Sequence, residues 1–474
     1  MMKSVHLLSS EWWSPHKETD LELIQESINC GNEVIVVGCS GVLDACYINP
    51  KHSWLDCVRC VGMKNAGLSY LIGKYTYVEL LDKRFESNGY IELRDLPNNL
   101  KSFLMLKDGQ LDIGYAVGTY LVDVTRDSSL NPSEQKDLVT KLLIATSRSY
   151  RWFLNFFSAE KPDIIYAMNG RHLQYRSILQ AALDLGLDIR MHERGGEKNK
   201  YMLYPRCLPH DRGYFRQLVK NARLEMTEEF IEKEGGKFFT DKVAGKDNNW
   251  FSYVTEQEVD RLPPDFHSYS RKTSFFLCSD FECAAVSQEW DWYVYPDQIT
   301  GIQMICAEMA QKCPEMHFFI RMHPNMKNDK ATPRISSVVS NIKNATLIPP
   351  DSSISSYGLM MRSDCVLTFG STIGIEACFW GKPSVLICPA MYEDFDVAIN
   401  CHSHSEVIRA LLDPGHAKNK KEAMLYGAIM ATMGNDFKHV VMENPFKGTF
   451  NGKVVTNVTE PWRRVTLKMA SFFN

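Results

Sequence analysis

Residues 364–380 read Asp364-Cys365-Val366-Leu367-Thr368-Phe369-Gly370-Ser371-Thr372-Ile373-Gly374-Ile375-Glu376-Ala377-Cys378-Phe379-Trp380. The short, mostly apolar run over 364–369 reads as a buried strand. Gly370 breaks it, Ser371 and Thr372 follow, and a helix over 373–380 begins at once. Gly381-Lys382-Pro383 then stops that helix, and Ser384-Val385-Leu386-Ile387-Cys388 reads as the next strand. Strand, helix and strand joined by such short turns place the two strands parallel in one sheet.

The same alternation extends outward. Upstream lie strands over 274–278, 317–322 and 345–348, with helices over 298–311 and 355–361. The first half repeats the pattern, with an apolar run over 5–8, a helix over 21–28 and a strand over 33–38. Ser14-Pro15 marks the start of that helix, Ser as N-cap and Pro at the first helical position. Helix 138–157 leads to strand 163–168, and helix 176–185 to strand 188–192. The fold class is therefore α/β, two Rossmann-like domains facing each other across a cleft. Residues 241–270 are polar and punctuated by Gly245 and Pro263-Pro264, so they read as the interdomain connection. The expected division is 1–240, a linker over 241–270, 271–440, and a tail over 441–474 that packs back on the first domain. Within that tail, Trp462-Arg463-Arg464 and Lys468 could instead lie on a membrane.

Composition narrows the function. The 474 residues are 45% hydrophobic and 23% charged, and Lys+Arg 53 against Asp+Glu 57 gives a net charge of -4. That excludes a generally basic surface for nucleic acid. No apolar run approaches the ~18 residues of a membrane span, and the N-terminus lacks a secretory signal, so a soluble cytoplasmic protein is expected. Of the 14 cysteines, Cys30, Cys306, Cys365 and Cys378 sit in apolar company and behave as small hydrophobes. Cys39, Cys46, Cys57 and Cys60 differ. Their C-x6-C-x10-C-x2-C spacing suits either a structural zinc site or a thiol-rich segment without metal.

Ligands of open parallel sheets bind beyond the carboxyl ends of the strands. In the second half those positions hold Ser279-Asp280-Phe281-Glu282, His323-Pro324-Asn325 and Gly370-Ser371-Thr372. Hydroxyls and exposed N–H groups at a helix start can hold a phosphate, and Glu376 is placed to accept hydrogen bonds from a ribose. The same residues equally describe an ordinary N-cap and first-turn acid. His323 is delivered to the same edge, displayed by the strand-stopping Pro324. Its imidazole can donate to a phosphate oxygen, more strongly when protonated. Trp290-Asp291-Trp292-Tyr293 could stack on a base or belong to the core.

Arg321-Met322-His323-Pro324-Asn325, Phe369-Gly370-Ser371-Thr372 and Glu376-Ala377 through Gly381-Lys382-Pro383 resemble the donor half of a GT-B glycosyltransferase, nearest to bacterial capsule and surface-polysaccharide enzymes. Asn169-Gly170-Arg171, Glu193-Arg194-Gly195 and the early cysteines extend the resemblance. In related Kdo and sialic-acid transferases an HP motif and a later S/T motif hold the phosphate of a CMP-sugar. The resemblance implies the same for His323, Pro324, Ser371 and Thr372, with Gly370, Ser279 and Glu282 nearby and Glu376 on the ribose. It implies an inverting, metal-independent transferase without cofactor, moving a CMP-activated acidic sugar such as Kdo or a nonulosonic acid onto a capsule or surface glycan. A UDP- or GDP-sugar donor, a nucleotide-sugar 2-epimerase and a non-enzymatic assembly subunit are the alternatives. A lipid-linked acceptor would bring the protein to the inner face of the membrane.

Transfer needs a base for the acceptor hydroxyl. Glu193 follows strand 188–192 and precedes Gly195-Gly196, so it is expected on a tight loop at the correct edge. Similar transferases carry two acidic residues there, and Arg194 occupies the second position here. A salt bridge to Arg171, Arg190 or Arg194 is the plainer reading of Glu193. Glu18 and His16, after the first strand, are the second and third candidates. Asn169, Arg171 and Arg194 are expected to orient substrate. Arg171 suits the carboxylate of an acidic sugar, and pairing with Glu193 explains it equally well.

Overall fold

The computed structural model describes residues 1–9, 14–86, 89–91, 95–246, 250 and 252–455. The chain forms two compact units. The first holds 1–121, 129–211 and the described residues from 433 onward; the second holds 122–128 and 212–432.

The first unit is built on a sheet whose parallel part contains β1 (Lys3–Leu7), β2 (Glu33–Gly38), β3 (Thr76–Glu79), β4 (Ile164–Met168) and β5 (Ile189–Arg194), in the order β5-β4-β1-β2-β3. Val5, Val36, Val37, Ile165, Ile189 and Met191 are almost fully buried, as parallel strands covered on both faces require. Helices His16–Asn29, Lys136–Glu160 and Leu173–Asp184 accompany the strands.

Two local readings change. The first helix begins at His16, so Pro15 takes the N-cap position, and the Ser14 hydroxyl donates to Glu18 Oε1 at 2.6 Å. Its first turns escape a hydrophobic pattern because their buried residues are polar, including His16, Glu18, Asp20 and Glu22. Glu193 lies inside β5, not on a loop. An antiparallel strand, β6 (Lys200–Pro205), pairs Glu193 with Met202 and Arg194 with Tyr201 and so prolongs β5.

In the second unit β7 (Arg271–Phe276), β8 (Met316–Arg321), β9 (Ala345–Ile348), β10 (Cys365–Thr368), β11 (Ser384–Leu386) and β12 (Ile399–Asn400) form one sheet in the order β12-β11-β10-β7-β8-β9. Every pairing is parallel, so all six carboxyl ends share one edge. Helices Gln298–Lys312, Ser356–Arg362 and Ile373–Phe379 connect the strands.

The unit boundary differs from the one drawn at 240. Helix Glu228–Val243 belongs to the second unit, where Phe239 stacks on Phe379 at 4.5 Å. A Cβ on Gly235 would strike the Met424 carbonyl of helix Lys420–Thr432, so the two helices touch backbone to backbone. The polar stretch 241–270 therefore lies within the second unit. The chain returns to the first unit after 432. There Val440, Met442, Phe450 and Val455 cluster with Leu21. Residues 462–469 lie outside the described residues. Among the described residues no helix is long and apolar enough to cross a membrane.

Candidate functional site

The shared strand edge of the second unit opens into a cavity of about 310 Å3. Leu277 follows β7, His323 and Pro324 follow β8, and Ser371, Thr372, Ile373 and Glu376 follow β10; all line it. Tyr357 completes this side, and Phe238, Lys242, Lys246, Trp250 and Tyr253 contribute from the preceding segment.

Gly370 makes the turn out of β10. Its φ of +91° lies in the left-handed region, and a Cβ would meet the Pro389 carbonyl at 3.0 Å. The Ser371 amide donates to Thr368 Oγ1 at 2.9 Å, and the Tyr392 hydroxyl donates to the Ser371 carbonyl at 2.6 Å. That amide is thus already engaged, so the Ser371 and Thr372 side chains carry the expectation of phosphate contact.

Glu376 is 4% exposed. Burial opposes its charge, yet three donors hold its pKa below the usual range. Lys242 Nζ lies 3.0 Å from Oε1, Thr372 Oγ1 donates to Oε1 at 2.8 Å, and the Tyr357 hydroxyl donates to Oε2 at 2.5 Å. His323 accepts the Asn325 amide on Nδ1 at 3.1 Å, so the neutral ring carries its proton on Nε2. Burial, with Arg321 adding to it, pushes its pKa down to about 4. At neutral pH His323 is thus an uncharged donor, not the imidazolium that would bind phosphate most strongly. Behind it the buried Arg321 guanidinium donates to the carbonyls of Pro349 and Ser352. The cavity combines hydroxyl, imidazole and ammonium donors with the aromatic rings of Phe238, Trp250 and Tyr253, a set that suits an oxyanion joined to a flat ring.

Ser279 and Glu282 are not among the cavity's lining residues. Ser279 is 1% exposed, and Glu282 Oε1 accepts from Asn325 Nδ2 at 2.5 Å. Asp280 lies outside it as well; burial pushes its pKa up to about 7, against hydrogen bonds from Ser128 and Gln298. Trp292 stacks on Phe369 at 5.2 Å and belongs to the core.

A second cluster lies in the first unit, where β4 and β5 end near the start of helix His16–Asn29. Asn169 Nδ2 donates to Glu193 Oε2 at 2.6 Å, the Arg194 amide donates to Oε1 at 2.9 Å, and His16 Nε2 stands 3.5 Å from Oε1. Burial disfavours the Glu193 charge, but His16 and these donors outweigh it and bring its pKa to about 2. Burial lowers His16 to about 4 despite the carboxylate. Glu18 shifts the other way, raised by burial against Lys17 and Ser14. The Arg194 guanidinium donates to the carbonyls of Ser14 and Pro445 at 2.7 and 2.6 Å and lies over the Phe446 ring, which makes it a bracket. Arg190 pairs with Asp188 at 3.1 Å. Arg171 makes no ion pair with Glu193.

Cys39, Cys46, Cys57 and Cys60 line a separate cavity of about 30 Å3. Asn49 Nδ2 donates to Cys57 Sγ at 3.1 Å, the Gly41 amide donates to Cys39 Sγ at 3.3 Å, and burial pushes the Cys46 thiol up to about 12. Among the described residues no three His, Cys, Asp or Glu side chains gather as a metal site would.

No protein-family model and no curated protein matches the chain. Solved structures do. Thermosulfurimonas dismutans KpsC, beta Kdo 2,4 transferase, matches 56% of this chain and 79% of its own at 11% identity and a TM-score of 0.39. The beta Kdo 2,7 transferase of the same KpsC matches 67% and 89% at 11% identity and a TM-score of 0.36. Methanocaldococcus jannaschii UDP-GlcNAc 2-epimerase, in complex with UDP-GlcNAc and UDP, matches 91% and 99% at 13% identity and a TM-score of 0.30. Likenesses this low carry no reaction over to this chain.

Sequence reasoning brought His323, Pro324, Ser371, Thr372 and Glu376 to one cavity and missed Lys242, Tyr357, Trp250 and Tyr253. Lys242 reaches Glu376 across 134 positions, which no local pattern announces. The aromatics had a signal: Trp250, Phe251 and Tyr253 cluster in the sequence within a stretch that is polar on both sides.

Proposed function

We propose that the protein is a glycosyltransferase that holds a nucleotide sugar in the second-unit cavity and passes its sugar, with inversion, to a glycan. The observation that carries this reading is the meeting of His323, Ser371, Thr372, Lys242 and Glu376 in one cavity walled by aromatic rings. The neutral His323 Nε2–H, the Ser371 hydroxyl and the ammonium group meet the charge that grows on the departing phosphate, while the Thr372 hydroxyl steadies Glu376. Glu376, held ionised, accepts hydrogen bonds from the ribose. A CMP-activated acidic sugar such as Kdo or a nonulosonic acid is the favoured donor, because His323-Pro324 and Ser371-Thr372 occur together. The acceptor is a bacterial capsule or surface polysaccharide. Glu376 is the sole carboxylate among the described lining residues.

Proton removal is assigned to the His16–Glu193 pair. The carboxylate, held ionised by its donors, can orient His16 and stabilise the imidazolium that forms. The test is an assay of nucleotide release from CMP-Kdo, CMP-N-acetylneuraminate, UDP-GlcNAc and GDP-mannose, with and without acidic oligosaccharides. Release of CMP that depends on the acceptor is expected. Turnover of a free nucleotide sugar without acceptor would replace this reading with an epimerase.

A further inference from the structure

Arg171, just beyond β4, is 9% exposed, and its Nε and Nη2 nitrogens are buried with no hydrogen-bond partner. Among the described residues no carboxylate pairs with it. A guanidinium stays charged at any physiological pH, so burying it unpaired opposes folding. Other buried or half-buried arginines keep at least one partner each, although Arg321 Nε and Arg151 Nε are also unpaired. Arg321 and Arg194 donate to carbonyl groups, and Arg176 has Asp112 at 3.9 Å. Arg176 also senses its neighbour: burial pushes its pKa down to about 10, Asp112 opposes this, and the Arg171 charge adds to the fall.

The backbone around Arg171 is held in place. Asn169 at φ +50° and Leu173 at φ +35° occupy the left-handed region that side chains other than glycine's avoid. Asn169 Oδ1 accepts the Arg171 amide at 3.1 Å while its Nδ2 grips Glu193. The loop therefore ties a bare guanidinium to the carboxylate cluster. Nε and Nη2 form one edge of the guanidinium plane, the edge that takes two oxygens of a single carboxylate or phosphate.

We propose that Arg171 is the anion-recognition element of a substrate site in the first unit, pairing through its Nε–Nη2 edge with a carboxylate or phosphate of the bound molecule. A uronic or ulosonic acid supplies the first and a phosphorylated glycan the second. The inference goes beyond nucleotide binding and rests on the first unit alone.

Thermal unfolding of the full chain tests it, with galacturonate and inorganic phosphate as separate probes on wild type, Arg171→Met and His323→Ala. At least one anion should raise the wild-type Tm, on the order of 3–5 °C at concentrations far above Kd. The probe that does so identifies the source. The rise should vanish in Arg171→Met and survive in His323→Ala. Without anion, Arg171→Met should melt no lower than wild type, since an unpaired buried charge has been removed. A lower Tm for that variant, an anion response that survives it, or no wild-type response to either anion would overturn the proposal.

Discussion

Two glutamates, one in each unit, Glu376 buried and Glu193 partly exposed, are both held ionised, and by partners of different kinds. Glu376 is gripped by the ammonium group of Lys242 and the hydroxyls of Tyr357 and Thr372. Glu193 faces two fixed donors and His16, an imidazole that can gain or lose a proton as part of chemistry. The first environment suits a carboxylate that must stay put and accept hydrogen bonds. The second suits one that steadies a changing charge. Glu193 sits near the end of a strand and Glu376 in the first turn of a helix, and it is their partners that differ in kind.

That contrast breaks most sharply at His16. Replacing it with Ala should lower sugar transfer by about 10^2–10^4-fold while leaving nucleotide affinity unchanged. Glu193→Gln should cost less, because it removes the orienting charge and keeps the imidazole. Steady-state rates for both variants decide the order, and an equal or larger loss in Glu193→Gln would make the carboxylate the base.

Glu376→Gln should act in the opposite sense. Nucleotide affinity should fall by about tenfold, roughly 1.4 kcal/mol. A double-mutant cycle with Lys242→Met should show a coupling of about 0.5–3 kcal/mol in affinity. Additive losses would mean that Lys242 and Glu376 do not act together on the ligand.

A separate effect concerns acid stability. The buried His6 and His16 and the partly exposed His323 have pKa values lowered to about 3, 4 and 4 from an ordinary 6.5, chiefly by desolvation. Between pH 6.5 and 4 the unfolded chain binds protons that the folded chain refuses, so stability falls as pH falls. Each histidine contributes on the order of 1 kcal/mol per pH unit. The two glutamates, whose folded pKa values lie below 4.5, continue the loss in more acid solution. Denaturant titrations from pH 7 to 4 should therefore show a steady decline, and His16→Gln should flatten it. A profile flat above pH 5 would mean these imidazoles are not held neutral.

Most of the parallel strands were legible because strands buried on both faces are written as apolar runs; their order in the sheet was not. Val34–Val37 and Val366–Leu367 cannot be mistaken for surface. The first helix was harder to place, since its buried face is made of His16, Glu18, Asp20 and Glu22, which a hydrophobic pattern ignores. Glu193 read as a loop residue because an antiparallel partner, not its own sequence, extends β5. His323, Ser371, Thr372 and Glu376, which line the second-unit cavity, could be found by looking beyond strand ends, although the same rule also names Ser279 and Glu282, which do not line it. Lys242 and Trp250 could not be found that way, since a polar, Pro- and Gly-marked stretch gives the same signal whether it links domains or walls a cavity. Arg171 was legible as a charge; that it stands unpaired was not.

The central claim is that His323, Ser371, Thr372 and Glu376 together hold a nucleotide. Isothermal titration of CMP, UDP and GDP into wild type and His323→Ala tests it most directly. At least one nucleotide should bind wild type with one-to-one stoichiometry, CMP most tightly, and should weaken about tenfold in the variant through loss of one phosphate donor. No binding of any of the three at millimolar concentration, or equal binding by wild type and variant, would contradict the account.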